Sequence, residues 1–499
     1  MKRVIAILLA ALLLIGALPF AGAFSDDASI DDNYKKAVTK MSDEKIIGGF
    51  TDGSFKPTET LTRAQAAKIL CVMLEGEEKA NALTKTETGF ADVPASHWAA
   101  KYVAYCVENS IVAGVGEGKF DPDGKLSSGA FAKMLLVAYG RDGSKFTGAE
   151  WLKNVQAAAE TTFFNYHLKD GPTGNAIPRQ EAAQLAFNAL IQAEADADKA
   201  KGDPREYKPS VPETMKLFII GHSYGNDCTL QYLWQMLKDV GVKDLTIGTL
   251  YYSGCPYRKH VDFELQDSPV YAYYKNTTGK YKTTKKTTFD KSLADEKWTH
   301  IVMLHGFTGQ GSDFAPCPWQ DILLGIVRRT QPDAYYGYVM TWAFRDDIKL
   351  RDSHAARFKQ LYDSDAGKMY QGQVNVAQKY AVPEQRFKYI CTPGTAIMNA
   401  RTSFLGCNVH RDNMSHLNYG IGRYIAAMTM CCNLTGATPD QITYVPDGLV
   451  SDAKNYKIGD LDMGAPGLKE KLVEVAKESV KNALEKPFEI TRSQYTTAP

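Results

Sequence analysis

A short apolar run, Met215 to Ile220, breaks at Gly221-His222-Ser223-Tyr224-Gly225-Asn226-Asp227 and is followed by Leu230, Leu233, Trp234 and Leu237 at helical spacing. The pattern predicts strand, tight loop and helix, with Ser223 at the carboxyl end of the strand. There its hydroxyl lies near helix N–H groups and the positive end of a helix dipole, where a developing oxyanion can be steadied. Alone, such a serine could as well only cap the helix. Far along the chain stands Arg411-Asp412-Asn413-Met414-Ser415-His416-Leu417-Asn418-Tyr419-Gly420. A histidine shortly after an aspartate can take a serine proton while the carboxylate orients its ring. Ser223, His416 and Asp412 are therefore candidate nucleophile, base and orienter for acyl transfer. Convergence of His222, His305, His410 and His416 on a metal is a second possibility, but neither HxxxH nor HxxE spacing is present, and no metal or cofactor is expected.

The elements that must bring these residues together begin near residue 210. From there, short apolar runs alternate with amphipathic helices, as a parallel α/β sheet requires. Residues 214–445 form this expected domain, and 446–499 a closing helix on Leu468, Leu472, Val475, Ser479 and Ala483, with a loose tail from Pro487. The Lys-, Thr- and Tyr-rich stretch Lys275 to Lys291 reads as a solvated loop or insertion. Trp319, Trp342 and Tyr251 suit either core packing or a sugar-binding cleft. Residues 193–213, with Asp203-Pro204 and Lys208-Pro209, read as an exposed linker.

Upstream the chain repeats itself. Lys45 to Pro57 aligns with Ser110 to Pro122, and beyond it Leu61 meets Leu126, Ala64 meets Gly129 and Lys68 meets Lys133. Each unit predicts a helix, a Gly-rich turn closed by Phe and Pro, and a second helix capped by Thr62 or Ser127. Ile177-Pro178-Arg179-Gln180-Glu181-Ala182 marks a weaker third unit. The repeats are expected at about 27–75, 88–140 and 147–192, within a region 24–192.

Residues 1–23 have the form of a secretory signal: Lys2 and Arg3, an apolar run from Val4 to Leu18, and Ala21-Gly22-Ala23 for cleavage. No later stretch is long and apolar enough to span a bilayer, so a secreted product without a membrane span is expected. With 58 Lys and Arg against 57 Asp and Glu, no whole-chain field gathers nucleic acid. Nine cysteines, without CxxC pairs, indicate neither a zinc site nor a disulfide framework.

Phe90-Ala91-Asp92-Val93 with His97-Trp98, the Gly-rich turns and Thr62-Arg63-Ala64-Gln65 resemble the S-layer homology (SLH) family. The resemblance implies an all-α trefoil of three repeats binding negatively charged, often pyruvylated, secondary cell-wall polysaccharide. An Arg fork can read a carboxylate there, so the function falls on Arg63 and Arg179. The second repeat has Ser127-Ser128-Gly129-Ala130 instead, and the first shows no leading F-x-D-V.

From Met215 to about Gly436 the chain resembles the DUF4886 branch of SGNH/GDSL hydrolases. The match rests on the Ser223 segment, Gly248-Thr249-Leu250-Tyr251-Tyr252-Ser253-Gly254-Cys255, Trp298-Thr299-His300-Ile301, Met340-Thr341-Trp342, Thr392-Pro393-Gly394-Thr395-Ala396-Ile397-Met398-Asn399-Ala400-Arg401 and the His416 loop. It implies a flavodoxin-like α/β/α sandwich with Ser223, His416 and Asp412 catalytic and the N–H groups of Ser223 and Gly254 as oxyanion donors. His222 departs from the usual Asp or Asn, and His305 stands where a side-chain donor is usual and is expected to replace it. Together the resemblances imply a cell-surface esterase of Gram-positive type, removing O-acyl groups from a glycan while anchored in the wall or S-layer. The alternative is a surface protein whose hydrolase fold only binds glycan.

Overall fold

The computed structural model describes residues 24–305, 317–346, 353–411, 416–449, 461–462 and 464–499. The expected signal segment therefore lies outside the described residues. The chain divides into two units, 1–201 and 202–499.

The first unit is helical, with α1 (Asp32–Asp43), α2 (Arg63–Glu75), α3 (Ala100–Glu108), α4 (Ser128–Ala138), α5 (Trp151–Glu160) and α6 (Arg179–Lys201). Its three repeats close on one another through backbone hydrogen bonds just ahead of their second helices, α2, α4 and α6. The N–H of Leu61 donates to Ile177 O (3.0 Å), Leu126 to Leu61 (2.9 Å), and Ile177 to Leu126 (2.9 Å). This ring explains why Leu or Ile recurs there: all three side chains fill the shared centre and are buried.

Two expectations need correction. The first repeat does have a leading motif, Phe24-Ser25-Asp26. Asp26 accepts from the N–H groups of Phe55 (2.7 Å) and Lys56 (2.8 Å), as Asp92 does from Phe120 (2.8 Å) and Asp121 (2.7 Å). Phe24 packs on Phe55 at 5.1 Å between centroids and Phe90 on Phe120 at 5.5 Å. The stretch 193–213 is an exposed linker only in part: α6 continues to Lys201, Asp203 is buried and Tyr207 packs among Tyr335, Tyr389 and His300, whereas Lys208 to Val211 are exposed. Alanine-rich composition sustains the helix, and the Tyr207 ring packs the segment that follows onto Tyr335 and Tyr389.

The second unit is built on a seven-stranded sheet of order β4-β3-β2-β1-β5-β6-β7. Its elements begin with β1 (Thr214–Gly221), α7 (Ser223–Thr229), β2 (Asp244–Tyr251), α8 (Tyr257–Leu265), β3 (Tyr271–Asn276) and β4 (Tyr281–Thr287). They continue with β5 (His300–Leu304), β6 (Tyr335–Val339), β7 (Phe387–Cys391), α9 (Pro393–Arg401), α10 (Ile421–Thr435) and α11 (Leu468–Glu485), alongside shorter helices. Strands β1, β2, β5, β6 and β7 run parallel, and β3 and β4 add an antiparallel hairpin at one edge. Helices flank the sheet, as right-handed crossovers from β1 to β2 on one side and from β5 through β6 to β7 on the other require. Burial from both sides explains the unbroken apolar runs Leu217 to Ile220 and Ile301 to Leu304.

The stretch 275–291, expected as a loop, is mostly the β3–β4 hairpin. The tail after Pro487 is not loose: Thr491 N–H donates to Asn399 Oδ1 (2.7 Å), Ser493 N–H to Thr402 Oγ1 (2.8 Å) and Phe404 N–H to Tyr495 O (2.9 Å). The end of α9 thus supplies partners for the tail's backbone. All nine cysteines are thiols.

Candidate functional site

Three neighbouring strands end together. Gly221 of β1 pairs with Tyr251 of β2, and Ile220 pairs with Met303 of β5. The segments that follow, His222-Ser223, Tyr252 to Gly254 and His305, therefore leave the sheet at one edge, where the strand order reverses at β1. Open α/β sheets hold ligands at such a point. A side chain at 221 would meet Leu304 Cβ at 3.1 Å, so glycine permits this closure. Gly254 turns its loop with φ +57°, and the His305 ring packs 4.9 Å from that of Tyr257.

Ser223 opens α7, and Asp227 follows one turn later on the same face. Asp227 is 1% exposed and has three donors on its carboxylate. Oδ2 lies 2.9 Å from His416 Nδ1 and 3.0 Å from the Leu417 N–H, and Oδ1 accepts from Arg423 Nη2 at 2.5 Å. Burial works against its charge, but the His416 hydrogen bond, the charges of Arg423 and His416 and the Leu417 N–H outweigh it and hold the carboxyl below its ordinary range. With Nδ1 engaged, Nε2 is the nitrogen of His416 left for proton transfer. The ring stands edge-on to Tyr224 at 5.5 Å, within the turn of helix that carries Ser223.

Asp412, the expected orienter, lies outside the described residues. Its assigned contact, the Nδ1 of His416, is occupied by Asp227. Asp227 stands four residues after the serine on the same helical face, but its nearness to His416, 189 residues on, arises only on folding.

His222 accepts from the Tyr224 N–H at Nδ1 (3.4 Å), which leaves the proton on the buried Nε2. Burial, then the charges of His416 and His305, push its pKa down to about 4, so the ring is neutral in ordinary media. His410 forms a short antiparallel bridge with Leu417, the residue after His416. Among the described residues no group of three or more His, Cys, Asp or Glu is placed to hold a metal ion. Trp342 is fully buried and stacks on Tyr224 at 4.6 Å, so it packs the floor rather than lining a cleft; Tyr251 is half-buried at the edge.

In the first unit, Arg179 donates from Nε to Phe55 O (2.9 Å) and from Nη2 to Gly48 O (2.8 Å). Arg63 does the same one repeat on, to Phe120 O (2.7 Å) and Ala113 O (2.9 Å). Each guanidinium clips the Gly-rich turn of the neighbouring repeat and lies on its phenylalanine, 4.9 Å for Arg179 and 4.6 Å for Arg63. In the second repeat Ser128 takes this place, accepting from Thr173 N–H at 2.8 Å, and the chain comes so close that a side chain at 129 would strike Thr173 O at 2.9 Å. A groove of about 360 Å³ opens beside Arg179, lined by Lys45, Gly49, Phe50, Lys68 and Trp98.

The family described as a domain of unknown function (DUF4886) matches residues 216–458, and the S-layer homology domain matches 23–67 and 89–132. The surface-layer 125 kDa protein of Lysinibacillus sphaericus is 33% identical over 150 residues, 29% of this chain and 12% of that protein. The S-layer protein of Bacillus licheniformis is 31% identical over 197 residues, 37% of this chain and 22% of that protein. The chain thus spans less than a quarter of either relative's length. A crystal structure of a DUF4886 family protein from Bacteroides uniformis is 28% identical, covering 57% of this chain and 100% of that one with a TM-score of 0.48. Among the described residues no helix is long and apolar enough to cross a membrane. The chain carries S-layer homology domains in its first unit and a DUF4886 domain in its second, and it is a surface protein associated with the cell wall and S-layer.

Proposed function

We propose that the second unit is a serine esterase of SGNH type that removes O-acyl groups, acetyl foremost, from a polysaccharide while the first unit holds the protein in the wall. The carrying observation is the buried Asp227 carboxylate, one helical turn from Ser223, with His416 Nδ1 at 2.9 Å. The order β2-β1-β5-β6-β7 of the parallel strands, equivalent to the flavodoxin-like 2-1-3-4-5, also supports this reading.

In the proposed reaction Ser223 Oγ bonds to the acyl carbon as its proton passes to His416 Nε2. Asp227 steadies the imidazolium through Nδ1. The N–H groups of Ser223 and Gly254 and the ring of His305 receive the oxyanion. Collapse expels the sugar hydroxyl, which leaves with the His416 proton. A water then gives its proton to His416, its oxygen bonds to the acyl carbon, and the ester to Ser223 breaks as His416 returns that proton to Ser223 Oγ, releasing the acid. In the first unit, the groove beside Arg179, and more loosely the turn at Arg63, receives the secondary cell-wall polysaccharide.

A fluorophosphonate probe on the full chain tests the nucleophile. It is expected to label Ser223 in the wild type and nothing in Ser223→Ala, with aryl acetate turnover lost in parallel. Equal turnover in both proteins rejects the esterase, and an unlabelled wild type favours the glycan-binding alternative.

A further inference from the structure

The β3–β4 hairpin carries a charge pattern that the esterase reading leaves unused. From Ser268 to Phe289 the chain holds five lysines and no carboxylate. Lys275 is neutralised by Asp295 (2.7 Å) and Glu296 (2.8 Å), and Glu296 is shared with Lys216 (2.7 Å). Lys280, Lys282, Lys285 and Lys286 are exposed and form no ion pair among the described residues. Lysines on an edge strand discourage pairing with another sheet. The same residues, all of one sign, also set up a positive field along this edge.

The position of the cations is set by register. Gly221 pairs with Tyr251, Tyr251 with Ala272, and Ala272 with Lys285. Residues paired across strands share a face, so these four form one row over β1, β2, β3 and β4, at the sheet edge from which Ser223 departs. Three strand spacings of ~4.8 Å put Lys285 about 14 Å from the end of β1, the reach of a short oligosaccharide. Between them lie the small Ala272 and the half-buried Tyr251, whose ring is 6.2 Å from that of Tyr274. Tyrosines of this kind offer an apolar ring face with a polar tip, suited to a sugar. Arg258 and Lys259, exposed in the first turn of α8 after Gly254, extend the basic field.

We infer that the substrate is an acidic polysaccharide, its chain laid along this row with the acyl group at Ser223 and a negative group of a nearby sugar at Lys285 and Lys286. The inference rests on the esterase reading. The ammonium groups raise the local concentration of a polyanion and fix which sugar reaches the serine, an effect that salt screens within ~8 Å at physiological strength.

The test uses the full chain on three esters: O-acetylated polygalacturonate, neutral O-acetylated xylan and p-nitrophenyl acetate. The wild type is expected to favour the acidic polymer over xylan by about tenfold in kcat/KM at low salt, and to lose that preference near ~0.5 M NaCl. The double variant Lys285→Glu, Lys286→Glu should bring the two polymers to parity and leave p-nitrophenyl acetate turnover unchanged, which also shows that the fold is intact. Equal wild-type rates on the two polymers, no activity on the acidic one, or a preference that survives charge reversal overturns the inference. Failure of the esterase reading looks different, since p-nitrophenyl acetate turnover would then be absent or independent of Ser223.

Discussion

Each unit buries a guanidinium at its key motif, and the two are used for different ends. Arg179 lies on the backbone carbonyls of Gly48 and Phe55, so its charge saturates acceptors in a turn. Arg423 lies on Asp227, whose other oxygen holds a histidine ring. In the first unit the cation joins two pieces of architecture, and its removal should register as lost stability. In the second it joins the His416 hydrogen bond in holding a buried carboxylate ionised, and under the esterase reading disturbance of that carboxylate should register as lost turnover. Polar networks that end on backbone build a frame, whereas those that end on a titratable ring with a free nitrogen equip it for chemistry.

Asp227→Asn would break this contrast most sharply. The amide keeps the shape but favours the wrong ring tautomer, for which a fall of roughly 10³- to 10⁴-fold in kcat is expected, with binding of the full chain to isolated walls unchanged. Asp412→Asn should stay within about tenfold of the wild type, since His416 Nδ1 is already engaged. If the two variants rank the other way in aryl acetate turnover, the orienter is Asp412.

Arg179→Ala is the converse test. Hydrogen bonds from a charged donor contribute about 1.5–3 kcal/mol each, and two are lost, partly replaced by water, so the first unit should lose about 3 kcal/mol. Ser128→Ala, which removes a neutral acceptor at the equivalent place, should cost about 1 kcal/mol. Urea unfolding of the full chain, with turnover measured in parallel, checks both: midpoints should fall in that order while turnover holds. A loss of turnover in Arg179→Ala would erase the division of labour.

How far the sequence spoke for each unit follows from the range of its contacts. The repeats were legible because the same physical problem is solved more than once in one chain, so Phe55 and Phe120 announce each other. The first repeat's Phe24-Ser25-Asp26 escaped because it stands against the expected cleavage site and lacks the following Val and His-Trp. In the second unit the strand ahead of Ser223 and the His416 loop could be read from local pattern and resemblance. The partner of His416 could not, since nearness along the chain favoured Asp412 and only folding brings Asp227 beneath the ring. The segment around Tyr207 and the tail misled in the same direction: polar, Pro-containing segments read as exposed, yet the Tyr207 ring and the tail's hydrogen bonds to Asn399 and Thr402 hold them down.

Acid should separate the units more gently. His222, His260 and His300 are buried in the second unit, and burial pushes them down to about 4, about 3 and about 4. In the unfolded chain each takes a proton near ~6.5, so stability is undiminished above that pH. As pH falls toward 4 the unfolded chain binds protons that the folded second unit refuses, and stability drops by up to about 1.4 kcal/mol per pH unit for each ring. His97 and His167, the two histidines of the first unit, are half-exposed. Urea titrations at pH 7 and pH 5 with pulsed thiol labelling resolve the units, through Cys71 and Cys106 in the first and Cys228 and Cys391 in the second, all buried. A reagent active in acid, such as dithiodipyridine, should report a midpoint that falls for the second pair more than for the first. Equal shifts would mean that the acid sensitivity belongs to the chain as a whole and not to these rings.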